Sequence, residues 1–597
     1  MSDEPAGPSS LGPGCHAAPS LRFAIGCVLL LTLVACTPGV GPSRGGPAAP
    51  AAPIAPTIGV ADVGIKKTIV IGITSPIKSF EPTRTGAAGG TFTLFDLFNN
   101  PLFEPDAHGA PQPRLLTKVP SLDDGTIKLL DDGRMQTTWD LRPDVTWQDG
   151  APFTSADLAF TLRVYQDRGV GLQGSAPVSY MQSIATPDPR TAIVTWTAPF
   201  YKADQLGLRE FWPFPQHLLG DALEADKAAF GNLPYWTNGF VGTGPYRLID
   251  YGLGENLVLN RVDDYFLGRP PISTIEIHDV PDTNALFASF LSGAVDMVSE
   301  GALPQDLMLR LRAQWSASGE GSVVTGPGSL RSYILQLNPQ YSDPPEIASD
   351  VRIRQGLFTA IDRVTLREAI MPGVPNTSAD SLIPESDPRI AIVGKPFAVY
   401  AFDPTRAAQL LADAGWHRSG GGPLLNQAGA PVRLEVRSQA AQAKERSIAA
   451  QNWRDLGIDV TENELSATLS TDPQTSATFP GLDYRASANL ETVLGRLQSS
   501  VIPTPEKRWV GDNTGAYRSP ALDRLTQSMY GSVDPQAQVR MLKQIGETLA
   551  ADLPTIPTHF TISMAGVRSG VHALTDNYVG TSVFGGMSRN AHLWNRD

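Results

Sequence analysis

Residues 137–160 read TTWDLRPDVTWQDGAPFTSADLAF, and the order of features in this stretch decides the fold class. Its opening residues suit a strand, and Asp149-Gly150 is a tight-turn pair. Thr154 then stands as a helix N-cap with Asp157 three positions on. That is the pattern of a capping box, in which each residue satisfies a backbone N–H that the first helical turn leaves open. A strand, a turn and a capped helix in one short stretch point to a chain that mixes α and β.

The same alternation continues outward. Residues 67–74, KTIVIGIT, form a β-branched run bounded by Gly and Pro and predict a buried strand. Strands are also expected at residues 191–197 and 332–337. Asp403-Pro404 start a helix whose Ala407, Leu410, Leu411 and Ala414 share one face, with Gly415 placed to end it. Asp534-Pro535 repeat that start, and Val539, Leu542, Ile545 and Leu549 follow until Pro554 forbids continuation. A third amphipathic helix is expected over residues 350–370. No internal repeat is present. The chain has 597 residues, 42% of them hydrophobic. A single core rarely grows past roughly 250–300 residues, so at least two lobes with a cleft between them are expected.

Charge and cysteine usage narrow the function. Sixty acidic side chains against 47 basic ones give a net charge of −13, and no basic cluster is interleaved with aromatics, which argues against a nucleic-acid partner. Cys15, Cys27 and Cys36 are the only cysteines, so the chain beyond residue 36 offers no disulfide, thiolate ligand or cysteine nucleophile. Arg22 precedes the apolar run FAIGCVLLLTLVA at residues 23–35. That run is shorter than the roughly 20 residues a membrane-spanning helix needs, and it has the length of a signal peptide. It closes on Leu33-Val34-Ala35-Cys36, which resembles a bacterial lipobox and implies cleavage before Cys36 and lipid on its thiol. Residues 1–20 contain no Lys or Arg, which suggests a start codon downstream of Met1. Residues 1–36 are therefore expected to be a signal peptide and residues 37–66, rich in Pro, Gly and Ala, a flexible tether. The product would be exported and lipid-anchored at the outer face of the cell membrane or in the periplasm.

With Leu141, Arg142, Val145, Asp149, Gly150, Pro152, Thr154 and Asp157 in place, the opening stretch resembles the signature of the extracytoplasmic solute-binding proteins of family 5, the peptide, dipeptide and nickel class of ABC importers. Further segments resemble the family in order: FPQHLL at 214–219, GTGPY at 242–246, SGAVD at 292–296, VRIRQGLFTAIDR at 351–363, LLADAGW at 410–416, NWRDLGIDV at 452–460, NTGAYRSPALDRL at 513–525 and DLPTIPTHF at 552–560. The resemblance covers nearly all of residues 67–597. It implies a two-lobed, type II periplasmic-binding α/β fold with an extra N-terminal subdomain. Lobe I would take residues about 67–95, 225–325 and 560–597, the subdomain about 96–224, and lobe II about 326–559. Hinge strands would cross near Thr325 and His559.

The resemblance also implies a binding protein rather than an enzyme. It would capture a peptide or peptide-like solute and deliver it to a membrane permease driven by a separate ATPase, as a monomer and without a cofactor or metal. In the family's peptide binders an acidic side chain of the second lobe holds the peptide ammonium. An ungapped alignment places Thr492 there, with Glu491 beside it on what reads as one strand over residues 482–492. The implied ligand contacts are Phe80 and Glu81 after the first strand, Trp236, Arg485, Asn489 and Glu491. Core packing competes as the role of Tyr235 and Trp236, and a structural role as that of His217. A sensory or chaperone-like binding protein of the same fold is the alternative, followed by an exported hydrolase, although no P-loop, nucleophile elbow or HExxH motif is present.

Overall fold

The expected first strand forms as Thr68–Ile73, with Ile69, Ile71 and Ile73 fully buried. The computed structural model describes residues 67–82, 91–106, 110–172, 176–252, 256–374, 377–379, 381–384, 400–487, 489–574 and 586–597. These belong to one compact unit, Ile65–Asp597. The expected signal peptide, Cys36 and the tether lie outside the described residues.

Thr68–Ile73 runs parallel to Thr274–Asp279 on one side and to Met297–Val298 on the other. A second parallel set is built from Arg433–Gln439, flanked by Asp459–Leu465 and Leu482–Ser487. Two long antiparallel strands, Gly321–Leu335 and Thr555–Arg568, join the sets into one ten-stranded mixed sheet. Val298 lies opposite Gly566 and Ser487 opposite Leu330. Both parallel sets therefore run toward the middle of the long strands, and their carboxyl ends face the same crossing. There the ladder slips at Pro327/Leu330 and again at Arg331/Ser332. A Cβ at Gly328 would stand 2.4 Å from the Thr561 carbonyl oxygen, so only glycine allows this approach. Thr325 and His559 both lie on these strands.

Separate cores surround the parts of this sheet. One, around Ile71, Phe80, Trp236 and Ile275, backs the first parallel set. Another, around Tyr333, Leu357, Leu411 and Trp453, backs the second. A third, around Trp139, Leu158 and Trp196, belongs to a four-stranded antiparallel sheet of Ile127–Leu129, Met135–Asp140, Thr191–Trp196 and Met181–Asp188. The stretch at 137–160 folds as its pattern predicts. Met135–Asp140 is a strand, Gly150 turns with φ +91°, and the helix Ser155–Gln166 starts at the capping box of Thr154 and Asp157. The buried Asp157 carboxylate also accepts from the backbone N–H groups of Thr154 at 2.8 Å and Gln216 at 2.9 Å.

The helices Pro404–Asp413 and Pro535–Asp552 form with the predicted caps, Asp403 and Asp534. Two expectations are corrected. Residues 350–370 hold two helices, Val351–Thr359 and Arg363–Ile370, because the Asp362 carboxylate caps the Thr365 N–H at 2.9 Å and starts a new axis. Residues 482–492 are not one strand either. The strand ends at Ser487, and Asn489 caps the helix Leu490–Arg496 by accepting from the Thr492 N–H at 2.9 Å. Glu491 and Thr492 thus sit in a first helical turn, where strand alternation does not apply. No helix among the described residues is long and apolar enough to cross a membrane.

Candidate functional site

In open α/β sheets ligands gather beyond the carboxyl ends of parallel strands, and here both parallel sets present those ends to one crossing. The expected contacts distribute unevenly around it. Phe80 is fully buried, stacked on Phe240 at 4.5 Å and tilted against Phe98 at 4.7 Å, and its N–H donates to the Trp236 carbonyl at 2.8 Å. Trp236 is buried as well, with its indole N–H donating to the Phe230 carbonyl at 2.6 Å and its ring edge-on to Phe214 at 5.4 Å. Core packing, the competing reading for Trp236, describes its surroundings, and Phe80 is packed among rings in the same way. Glu81 is buried beside them, its N–H donating to Ser79 Oγ at 3.0 Å.

Across the crossing, Arg485 Nε donates to Asp483 Oδ2 at 2.6 Å, and the same oxygen takes Arg437 Nη2 at 2.9 Å. Asn489 is occupied as a helix cap, its Oδ1 also accepting from Thr492 Oγ1 at 2.8 Å. Glu491 meets Lys202 Nζ at 2.9 Å and the Tyr201 hydroxyl at 3.2 Å. Tyr201 in turn stacks on Tyr530 at 5.1 Å and donates its N–H to the Tyr530 carbonyl at 3.0 Å. The structure brings Arg485, Asn489 and Glu491 to one edge and Phe80 with Trp236 to the other.

Two buried titratable groups lie at the crossing: Glu300 escapes sequence reasoning, and His559 is expected there only as a hinge position. His559, on the long strand Thr555–Arg568, is held down to about 3 by burial and by Arg331, so it is neutral at physiological pH. Glu300 follows Met297–Val298 at its carboxyl end, 6% exposed, with Oε2 accepting from Ser563 Oγ at 2.8 Å. Burial pushes its carboxyl up to about 7, Asp96 adds to the rise, and Ser563 and Arg589 oppose it. Because the folded value lies above the ordinary 4.5, the associated stability is complete below pH about 4.5 and is lost as pH rises toward 7. The shift corresponds to about 3–4 kcal/mol. Glu300→Gln removes that loss, so in urea titrations its advantage over the wild type grows between pH 5 and pH 8. An advantage equal at both pH values would disprove the linkage.

Residues 110–494, more than half of the chain, match the family model described as bacterial extracellular solute-binding proteins, family 5 Middle. A putative ABC transporter peptide-binding protein from Brucella ovis is 24% identical over 278 residues, covering 46% of this chain and 48% of that protein. The chain thus spans about half the length of such curated relatives. Among solved structures, the oligopeptide-binding protein from Thermus thermophilus complexed with a pentapeptide superposes with a TM-score of 0.68 at 20% identity, over 89% of this chain and 96% of the other. NikZ from Campylobacter jejuni in complex with Ni(L-His) does so with a TM-score of 0.70 at 17% identity, over 89% and 100%. At these identities the likeness to solved structures is one of fold, the two-lobed fold of periplasmic binding proteins, and the family assignment rests on the matched stretch. With that stretch spanning the four-stranded sheet, the second parallel set and one of the two long strands, the chain belongs to the bacterial extracellular solute-binding proteins of family 5.

Proposed function

We propose that the chain is the receptor of an ABC importer, capturing a peptide or peptide-like solute at the strand crossing and handing it to a membrane permease with its ATPase. The observation that carries this reading is the convergence of both parallel sets on one crossing, where, among the described residues, two strands with a slipped register link the two halves of the sheet. Such a linkage permits the halves to hinge about the slip and close on a solute. The lobe limits given by the family resemblance, with the subdomain as a separate packing unit, belong to this reading. So do export, lipid attachment at Cys36 and a monomeric state. Peptide is favoured as the solute class because the matched Brucella protein is described as peptide-binding and a superposable structure holds a pentapeptide.

The test is native mass spectrometry of the full chain extracted in detergent, followed by denaturing analysis of what copurifies. A ladder of mixed peptides is expected, together with a mass increment for diacylglycerol on a chain beginning at Cys36. A single non-peptide mass would replace the solute class, and an unmodified N-terminus would remove the anchor.

A further inference from the structure

Glu300 stands where the proposed solute site needs a polar anchor, yet its neighbourhood does not complete it. Its Oε2 is tied to Ser563, on the long strand and opposite Gly326 at the register slip, so the carboxyl group is oriented toward the crossing. Its Oε1 is buried and has no hydrogen-bond partner among the described residues, and the hydroxyl of the adjacent Ser299 is in the same state. The groups that face it are Ser563 from the long strand, Asp96 from the short helix Phe92–Leu97 and Arg589 from the C-terminal segment. Asp96 is itself coupled to Arg589 and Arg114, and Glu104 to Arg114 at 3.4 Å. Three carboxyl groups therefore share two guanidinium groups, and two buried oxygens, Glu104 Oε1 and Glu300 Oε1, are left without a donor among the described residues; of the two, Glu300 lies at the carboxyl end of a parallel strand. Burying an acceptor without a donor is costly unless something supplies one.

We propose that Glu300 receives a cationic nitrogen group of the solute, an ammonium or a guanidinium, so that the solute's positive end docks on the N-terminal half of the sheet. This rests on the reading of the crossing as the solute site. A bound cation supplies the missing donor and offsets the surplus negative charge, as charge-assisted hydrogen bonds do in a dry site. The edge of the second parallel set cannot take that role through Glu491 while Lys202 and Tyr201 occupy its carboxylate. Since burial favours the protonated acid, a cation binds best once the proton has left. Affinity for a permanently charged solute should therefore fall as pH is lowered.

The experiment titrates the full chain in detergent, wild type and Glu300→Gln, with four probes: trialanine, Nα-acetyl-trialanine amide, trilysine and Nα-acetyl-trilysine amide. Trialanine offers only a terminal ammonium and acetyl-trilysine amide only side-chain ammonium groups, so these two arms tell which nitrogen docks. In the wild type at least one cationic probe should bind tenfold or more tightly than acetyl-trialanine amide. Glu300→Gln should abolish that preference, and with it the fall in acetyl-trilysine amide affinity between pH 7.5 and pH 5.5 if that probe is the one preferred. The near-ultraviolet circular dichroism of the variant should stay that of the wild type. Equal wild-type binding of charged and acetylated probes, or a preference that survives in Glu300→Gln, would overturn the inference and leave the receptor reading intact. Binding of none of the four by the wild type would overturn the peptide reading and this inference with it. Should Glu300→Gln misfold, Ser563→Ala, which keeps the carboxyl group but frees it from its orienting hydroxyl, should weaken the cation preference, and an unchanged preference there overturns the inference.

Discussion

Asp483→Ala is expected to destabilise the protein by about 3–5 kcal/mol, the usual cost of removing one partner of a buried ion pair. Asp483 is 2% exposed and lies beside Arg437 in the register of two parallel strands. Arg437 is buried, with its guanidinium over the Phe479 ring at 4.4 Å, Nη1 donating to the Thr475 carbonyl at 2.8 Å, and Nη2 donating to Asp483. Without the carboxylate, a full positive charge stays in the interior with only carbonyl partners. Arg485 shares the same oxygen but is 26% exposed on its side chain, so Arg485→Ala should cost no more than about 1 kcal/mol. Urea unfolding followed by tryptophan fluorescence compares the two. A loss within 1 kcal/mol for Asp483→Ala would mean that the ion pair is not what holds these strands, and would return Arg485 to the solute.

Gly244→Ala is the second large effect. A Cβ there would fall 2.4 Å from both the Leu97 oxygen and the Phe98 carbonyl carbon, and 2.6 Å from the Asn99 nitrogen. All three are backbone atoms, so no side chain can swing aside, and the loss should reach or exceed about 3 kcal/mol, the upper end of overpacking. The segment Gly242–Tyr246 is stitched in place. Thr243 donates its N–H at 3.1 Å and its hydroxyl at 2.6 Å to Asn99 Oδ1, and Gln148 Nε2 donates to the Gly244 and Tyr246 carbonyls at 3.0 Å and 2.8 Å. Gly220→Ala is the control. Its Cβ would meet only Gln216 Cγ at 3.7 Å within the helix Gln216–Ala225, and it should gain about 0.5–1 kcal/mol from helix propensity. If both substitutions are tolerated alike in thermal unfolding, the close approach at Gly244 is not sustained in solution.

Local signals carried the fold far. Caps at Thr154, Asp403 and Asp534 and the β-branched run before Ser75 are patterns within a few residues, and the structure follows them. The break at Asp362 was equally local, an Asp followed three positions later by a residue whose N–H it caps, but a continuous apolar stripe masked it. The helix at Leu490 had its own sign. Asn489 precedes apolar residues at 490, 493, 494 and 497, a helical spacing that the expectation of an uninterrupted strand overrode. The site was harder to read because its chemistry is not local. Glu300 owes its burial and orientation to Ser563 and Arg589, far along the chain, and nothing in the residues around it distinguishes it from the other acids. Phe80 and Trp236 were nameable as aromatics, but whether an aromatic ring meets solvent or other rings depends on tertiary neighbours such as Phe240 and Phe214.

The order in which the sheet is strung has a consequence for biogenesis. Everything between the two long strands, from about residue 336 to 554, is one uninterrupted stretch, so the second parallel set needs only the flanking segments to assemble. The first parallel set is different. Lys67 and Thr68 bond to Asn595 and Arg596, Asp296 pairs with Arg596 at 2.7 Å, and Ser588 bonds to the Thr93 carbonyl. Contacts that span nearly the whole chain close the largest loops and form late. During synthesis the opening strand can pair with Thr274–Asp279 and Met297–Val298 once these emerge, but the contacts that fasten this set to residues 588–596 must wait for those residues. A chain strung this way locks its first parallel set only after residues 588–596 have been made.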